Sequence, residues 1–262
     1  MMKKLLSVAA IATVGAIFSC QTEDSLVSKN EPSNAAIAKI AAMGFSTENV
    51  QLVDDGYLVE GDILLSEADL DRTSQSPTLR IAEVEQYHTF ELVCGTRTIT
   101  VSSSGSMTAA ISSAIDAAIA RYNAENLTLT FTRVASGGDI NIRLVNGGPY
   151  IASAGFPSGC NPYGEVKFNK QYGGYSAGFL TTVIAHEMGH CIGFRHTDYM
   201  NRAYSCGGSP SNEGQTTSGI GAVHIPGTPT GPDSGSWMLA CLSSTTNRPF
   251  NNNDKTALSY LY

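Results

Sequence analysis

Few charges and very few histidines mark this chain of 262 residues, in which charged side chains make up 15% and histidine occurs five times. No basic cluster appears beyond Lys3-Lys4, and the formal net charge is -7, so nucleic-acid binding is excluded as a main function. The longest apolar run, Leu5 to Phe18, is too short to span a bilayer comfortably. No internal repeat is present, which excludes solenoids and propellers. The cysteines Cys94, Cys160, Cys191, Cys206 and Cys241 are scattered at spacings that match no zinc finger. In an exported chain they are expected to pair, with one left over, and to staple the glycine-rich second half.

What is present begins with Met1-Met2-Lys3-Lys4, the apolar run, and Ile17-Phe18-Ser19-Cys20. That order of charge, apolar stretch and small residue before cysteine is a targeting segment. It resembles the lipobox of bacterial lipoproteins, which implies a signal peptide over 1–19 and lipidation of Cys20. The resemblance places the protein on the outer membrane or cell surface, attached through that cysteine. Residues 20–33 read as a flexible tether.

A helical pattern starts at Asn34, and a short strand is expected at 50–53. Residues 66–85 are polar and read as a cleavable linker, so 34–88 form a candidate propeptide with its linker. The main domain is expected over 89–262. It opens with a strand at 97–101 and a helix over 107–123 capped by Ser106, with Met107, Ile111, Ile115 and Ile119 as its apolar stripe. Strands at 127–134, 139–145, 150–156 and 166–168 complete a sheet. Residues 199–237 are rich in Gly, Ser, Pro and Thr and read as loops pinned by cysteines. A last helix is expected over 254–261, capped by Asn253 or Asp254.

Three of the five histidines fall within His186-Glu187-Met188-Gly189-His190-Cys191-Ile192-Gly193-Phe194-Arg195-His196. On a helix His186 and His190 share one face, so both rings can point at one ion. Gly193 can end that helix, because glycine tolerates the left-handed conformation, and the turn returns His196 as a third metal ligand. Glu187 then lies beside the metal without binding it, the place of a general base for an activated water. A structural zinc site ordinarily has four protein ligands and no idle carboxylate beside it.

The long histidine motif resembles that of the metzincin zinc peptidases, whose signature also includes a downstream Met-turn, here matched by Met238. The order of elements is similar to that of matrixins, with Gly148–Pro157 resembling their substrate-binding edge. The arrangement including His224-Ile225-Pro226-Gly227 most resembles the bacterial dual-action HEIGH metallopeptidases, with Met188 in place of isoleucine. The resemblance implies an α+β fold of zincin type: a twisted mixed sheet, an active-site helix, an irregular C-terminal part with the Met-turn, and a terminal helix. It implies one catalytic Zn²⁺, because the second, structural zinc of matrixins would need histidines where this chain has Ser153 and Lys167. Ala240 stands where astacins place a tyrosine ligand. Val59-Glu60-Gly61-Asp62 resembles the F-x-G-D motif of astacin propeptides, which makes Asp62 a candidate latency switch and the chain a zymogen.

The function expected is a secreted or cell-surface zinc endopeptidase acting on protein or peptide substrates, with the lipid anchor lost if activation cuts the linker. The alternative is a catalytically silent lipoprotein that keeps zinc for stability and binds surfaces.

Overall fold

The computed structural model describes residues 31–71, 86–210, 212, 221–229 and 231–262. The signal segment, Cys20, the tether up to residue 30 and residues 72–85 of the linker lie outside the described residues.

The N-terminal unit starts with α1 (Asn34–Ala42), capped by the Ser33 hydroxyl accepting from the Ala36 N–H. Strands β1 (Gln51–Val53), β2 (Gly56–Val59) and β3 (Ile63–Leu65) follow as an antiparallel meander. A single turn of helix, α2 (Glu67–Leu70), closes the unit. Residues 66–70 were expected to be linker. They fold because Ser66 and Asp69 form a capping box, which satisfies two helix N–H groups reciprocally, while Leu70 is buried. Ile40, Phe45, Val59, Ile63 and Leu65 make a small core, joined by Phe156 from the other part of the chain.

The second part runs through β4 (Tyr87–His88), β5 (Arg97–Ser104), α3 (Ala109–Asn123), β6 (Leu129–Arg133), β7 (Ile140–Val145), β8 (Ala152–Ser153) and β9 (Glu165–Asn169). Then come α4 (Ala177–Cys191), β10 (Phe194–Arg195), α5 (Ala203–Cys206), β11 (Val223–His224) and α6 (Asn252–Leu261). Five strands form one mixed sheet in the order β6-β5-β7-β9-β8, parallel except for the antiparallel edge strand β8. The alternation in sequence matches the burial: Leu129 and Phe131 in β6, and Ile140, Ile142 and Leu144 in β7, all face the core. Helices α3 and α4 pack together over this sheet. Ile111, Ile115 and Ile119 of α3 are buried as a stripe, as the sequence predicts.

Several boundaries differ from the sequence expectation. The cap of α3 is Thr108, whose hydroxyl accepts from the Ile111 N–H, and not Ser106. The cap of α6 is Asn251, and Asp254 is the third residue of its capping box. Tyr87–His88 precede the expected start of the domain but form the centre of a small sheet, β10-β4-β11. A two-residue strand has no periodicity to detect, and its partners lie more than a hundred residues away. Of the expected strand 150–156 only Ala152–Ser153 pair with β9.

Two disulfides form. Cys206–Cys241 pins the irregular C-terminal region, as expected, but Cys94–Cys160 ties the approach to β5 to the loop after β8 and lies outside that region. Cys191 is a free, buried thiol.

Candidate metal centre

Helix α4 carries the first two histidines. Its cap is Ser176, which accepts from the Phe179 N–H, and every residue from Phe179 to Cys191 is buried. A helix buried all round lies inside the protein, and here it is held from two sides. The Tyr122 hydroxyl of α3 donates to the Ala185 carbonyl at 2.7 Å, and the Trp237 indole N–H donates to the same carbonyl at 3.3 Å. Gly193, at φ +110°, turns the chain out of the helix into β10, and His196 comes back beside His190.

The ring nitrogens are sorted by the backbone. His186 Nδ1 lies 2.9 Å from the Trp237 carbonyl and His190 Nδ1 lies 2.8 Å from the Phe194 carbonyl. A carbonyl can only accept, so both Nδ1 atoms carry the proton and both Nε2 atoms present bare lone pairs inward. His190 Nε2 and His196 Nε2 are 3.2 Å apart, and His186 Nε2 is buried without a hydrogen-bond partner. The bare Nε2 of His190 pressed against another ring nitrogen, and the Nε2 of His186 left unsatisfied beside it, are costly unless a cation sits among them. A ligand atom from each of His186, His190, His196 and Asp62 lies within 4.8 Å of the others. Three imidazoles and a carboxylate fit a tetrahedral zinc ion.

Asp62 reaches this cluster from the turn between β2 and β3. One carboxylate oxygen is 3.2 Å from His196 Nε2 and 3.5 Å from His186 Nε2. Burial would raise its pKa, but His196 and then His186 hold the carboxyl well below the usual carboxylate range. Glu187 is buried next to them. Its pKa is pushed well above the usual range, by burial first and by the Asp62 charge second. For His190, burial and then the neighbouring His186 and His196 lower the pKa well below that of a free imidazole, which keeps the ring neutral.

Below the histidines runs Ser236-Trp237-Met238. The Met238 carbonyl accepts from the Thr197 N–H at 2.9 Å, next to the third histidine. Trp237 and Met238 are fully buried, and a Cβ added at Gly189 would lie 2.7 Å from the Met238 sulfur. This segment is fastened by Asp254 of α6, which accepts from the Trp237 N–H at 3.3 Å and from Gln86 Nε2 at 2.6 Å. Burial pushes the Asp254 pKa up to about 6.

The N-terminal unit lies along the edge of the main sheet. The Leu64 N–H donates to the Ala154 carbonyl at 2.8 Å, and the Ala154 N–H donates to the Asp62 carbonyl at 3.0 Å, a parallel bridge next to β8. A cavity of about 280 Å³ opens beside Asp62, His186 and Glu187, bounded by Ile151, Val183, Ala240 and Leu242. Lys167 and Ser153 stand where the resemblance would put matrixin zinc-binding histidines; Lys167 makes a close ion pair with Asp55, and Ser153 is buried.

Two buried residues were missed by sequence reasoning. Arg195, inside the histidine motif, pairs with Glu60 of the N-terminal unit, and both side chains are fully buried. Arg202 donates to the Glu60 carbonyl. The available signal was a charge of each sign flanking the two motifs, since Glu60 precedes Gly61-Asp62 and Arg195 precedes His196.

The dual-action HEIGH metallo-peptidase family model matches residues 57–262. No curated protein matches the chain. Among solved structures, two of myroilysin are similar. One has a TM-score of 0.45 at 18% identity, covering 66% of this chain and 96% of that one. The other has a TM-score of 0.40 at 16% identity, covering 63% and 83%. With the family match spanning both the Asp62 turn and the histidine motif, this chain belongs to the dual-action HEIGH metallopeptidases.

Proposed function

We propose that the chain is an exported zinc-dependent endopeptidase made as a latent precursor. The observation that carries this reading is the convergence of His186, His190, His196 and Asp62 on one point, with Glu187 buried beside it. His186, His190 and His196 would hold the zinc. Asp62 is the fourth donor, contributed by the propeptide, and its departure frees that position. When bound, zinc supplies a Lewis acid that lowers the pKa of water and polarises a scissile carbonyl.

The remaining chemistry belongs to the chain. The Trp237 and Phe194 carbonyls orient the rings of His186 and His190 through Nδ1. Glu187 accepts the proton of the attacking water and later delivers it to the leaving amine. Its pKa, raised partly by the Asp62 charge, relaxes downward when Asp62 leaves, which favours the basic form. The N–H and carbonyl of Ala154, now bonded to Asp62 and Leu64, are the groups an extended substrate would pair with. Met238 serves as the hydrophobic floor of a Met-turn. Export through residues 1–19 and lipidation at Cys20 complete the reading.

The test is Glu187→Ala in chain processed by cleavage of the linker. Zinc content should stay at one per chain while casein hydrolysis falls by about a thousandfold, within the range for general acid–base groups. Undiminished hydrolysis would sink the mechanism and favour the silent zinc-stabilised lipoprotein.

A further inference from the structure

Arg195 immediately precedes the third histidine, and its side chain meets the N-terminal unit. Its guanidinium lies 3.3 Å and 3.4 Å from the two oxygens of Glu60. The same group sits 4.4 Å over the ring of Phe45 and 5.7 Å from that of Phe156. Glu60 and Phe45 belong to the N-terminal unit. Phe156 belongs to the catalytic part, and its ring meets that of His190 edge-on at 5.5 Å. A planar fork against an aromatic wall, next to the metal centre and already holding a carboxylate, is a built recognition site for an acidic side chain.

The distribution of charge points the same way. Residues 34–71 hold eight carboxylates and one lysine, whereas residues 86–262 hold ten acidic and ten basic side chains. Three of the eight carboxylates meet cationic or metal-binding groups across the boundary. Asp55 pairs with Lys167 and approaches Arg143, Glu60 pairs with Arg195, and Asp62 meets the histidines. Among the described residues of the catalytic part, Glu187 lines the cavity, Glu165 is paired with Arg143, and the buried Asp198 accepts from the Ser205 hydroxyl and the Ala240 N–H.

We propose that Arg195 is a specificity-determining residue: once the N-terminal unit is displaced, its guanidinium receives an aspartate or glutamate of the substrate against the Phe156 ring. Glu60 is then the built-in occupant of that subsite, two residues before Asp62 on the same turn. A glutamine in the same place would lose the charge-assisted bonds, which are about twice as strong as neutral ones. This inference rests on the endopeptidase reading above.

The test uses full chain, folded with its N-terminal unit, then cut within residues 72–85 and freed of that unit by chromatography. Peptide pairs matched Glu against Gln at each of three positions on either side of the scissile bond are compared by kcat/KM. At one position the wild type should prefer Glu by roughly tenfold or more, a sum of charge-assisted bonds a neutral side chain cannot make. Arg195→Gln should bring that ratio to about one, and Arg195→Lys should restore part of it. A ratio near one in the wild type, or an undiminished ratio in Arg195→Gln, overturns the proposal.

A second measurement needs no variant enzyme. A synthetic peptide of residues 57–65 should inhibit the cut wild type roughly tenfold better than the same peptide with Glu60→Gln, on the same grounds. Equal inhibition overturns the proposal. Chelator-sensitive cleavage of the Gln peptides sustains the endopeptidase reading even when no acidic preference is found, and absence of all cleavage overturns both.

Discussion

The two parts of the molecule satisfy their buried polar groups in different ways. In residues 86–262 the segment beneath the histidines is held from within: Asp254 is held by Gln86 and the Trp237 N–H, and His186 by the Trp237 carbonyl. In residues 34–71 the buried Glu60 and the partly buried Asp62 meet Arg195 and the histidines across the boundary. The backbone shows the same contrast. The metal-site helix is regular, capped and buried on every side, whereas the turn that carries Asp62 passes through positive φ at both Glu60 (+55°) and Gly61 (+91°). One part fastens α4 and the Trp237-Met238 segment from within, and turns Arg195, Lys167 and His196 toward carboxylates of the other. The other keeps a left-handed turn in place through contacts with its neighbour.

Three substitutions probe this contrast, beginning with the largest effect. Trp237→Ala removes the buried indole that packs edge-on to Phe194 and Phe250 and bonds α4. It should cost about 3–5 kcal/mol in a urea melt, the usual range for a buried tryptophan, and lower the zinc content. If a melt of the same chain showed only the N-terminal unit loosened, the claim that the catalytic part is held from within would be wrong.

Asp62→Ala strikes the boundary itself. Losing a buried charged partner should weaken the closed state by about 3 kcal/mol, on the order of a hundredfold in the open fraction. Uncut chain should therefore hydrolyse casein far faster than uncut wild type at equal zinc content. If it stayed as inactive as the wild type, the unit would block the cleft by bulk and not by its carboxylate.

Gly61→Ala sharpens the comparison at the level of backbone. A Cβ there would sit 2.9 Å from an Arg202 guanidinium nitrogen at a left-handed φ. The left-handed penalty of roughly 1–2 kcal/mol should make the N-terminal unit more susceptible to limited proteolysis without shifting the main melting transition. A uniform loss of stability across both parts would contradict their independence.

Much of the fold was legible because its elements repeat at the right period. The Ile111-Ile115-Ile119 stripe and the alternating residues of β6 and β7 predict their own burial. The histidine spacing was equally legible, since a helix puts His186 and His190 on one face whatever surrounds it. Caps moved by a few residues, because Ser, Thr and Asn neighbours compete for the same N–H groups and packing decides among them. The strand at Tyr87–His88 was invisible, because two residues carry no pattern and their partners are remote in sequence.

What the chain's order of residues determined alone was the set of donors: three histidines at helical and turn spacing, a glutamate beside the first, and an aspartate in a Gly-Asp turn far upstream. Those follow from local geometry, which depends on neighbours within one or two turns. Only the tertiary structure decided that Asp62 comes within 3.2 Å of His196, that the Trp237 carbonyl sorts the protons on His186, and that Glu60 and Arg195 are buried together. Each of these joins groups more than fifty residues apart. Such contacts exist only because hydrophobic burial brings the elements together, and no local pattern records which charge will meet which once water is gone.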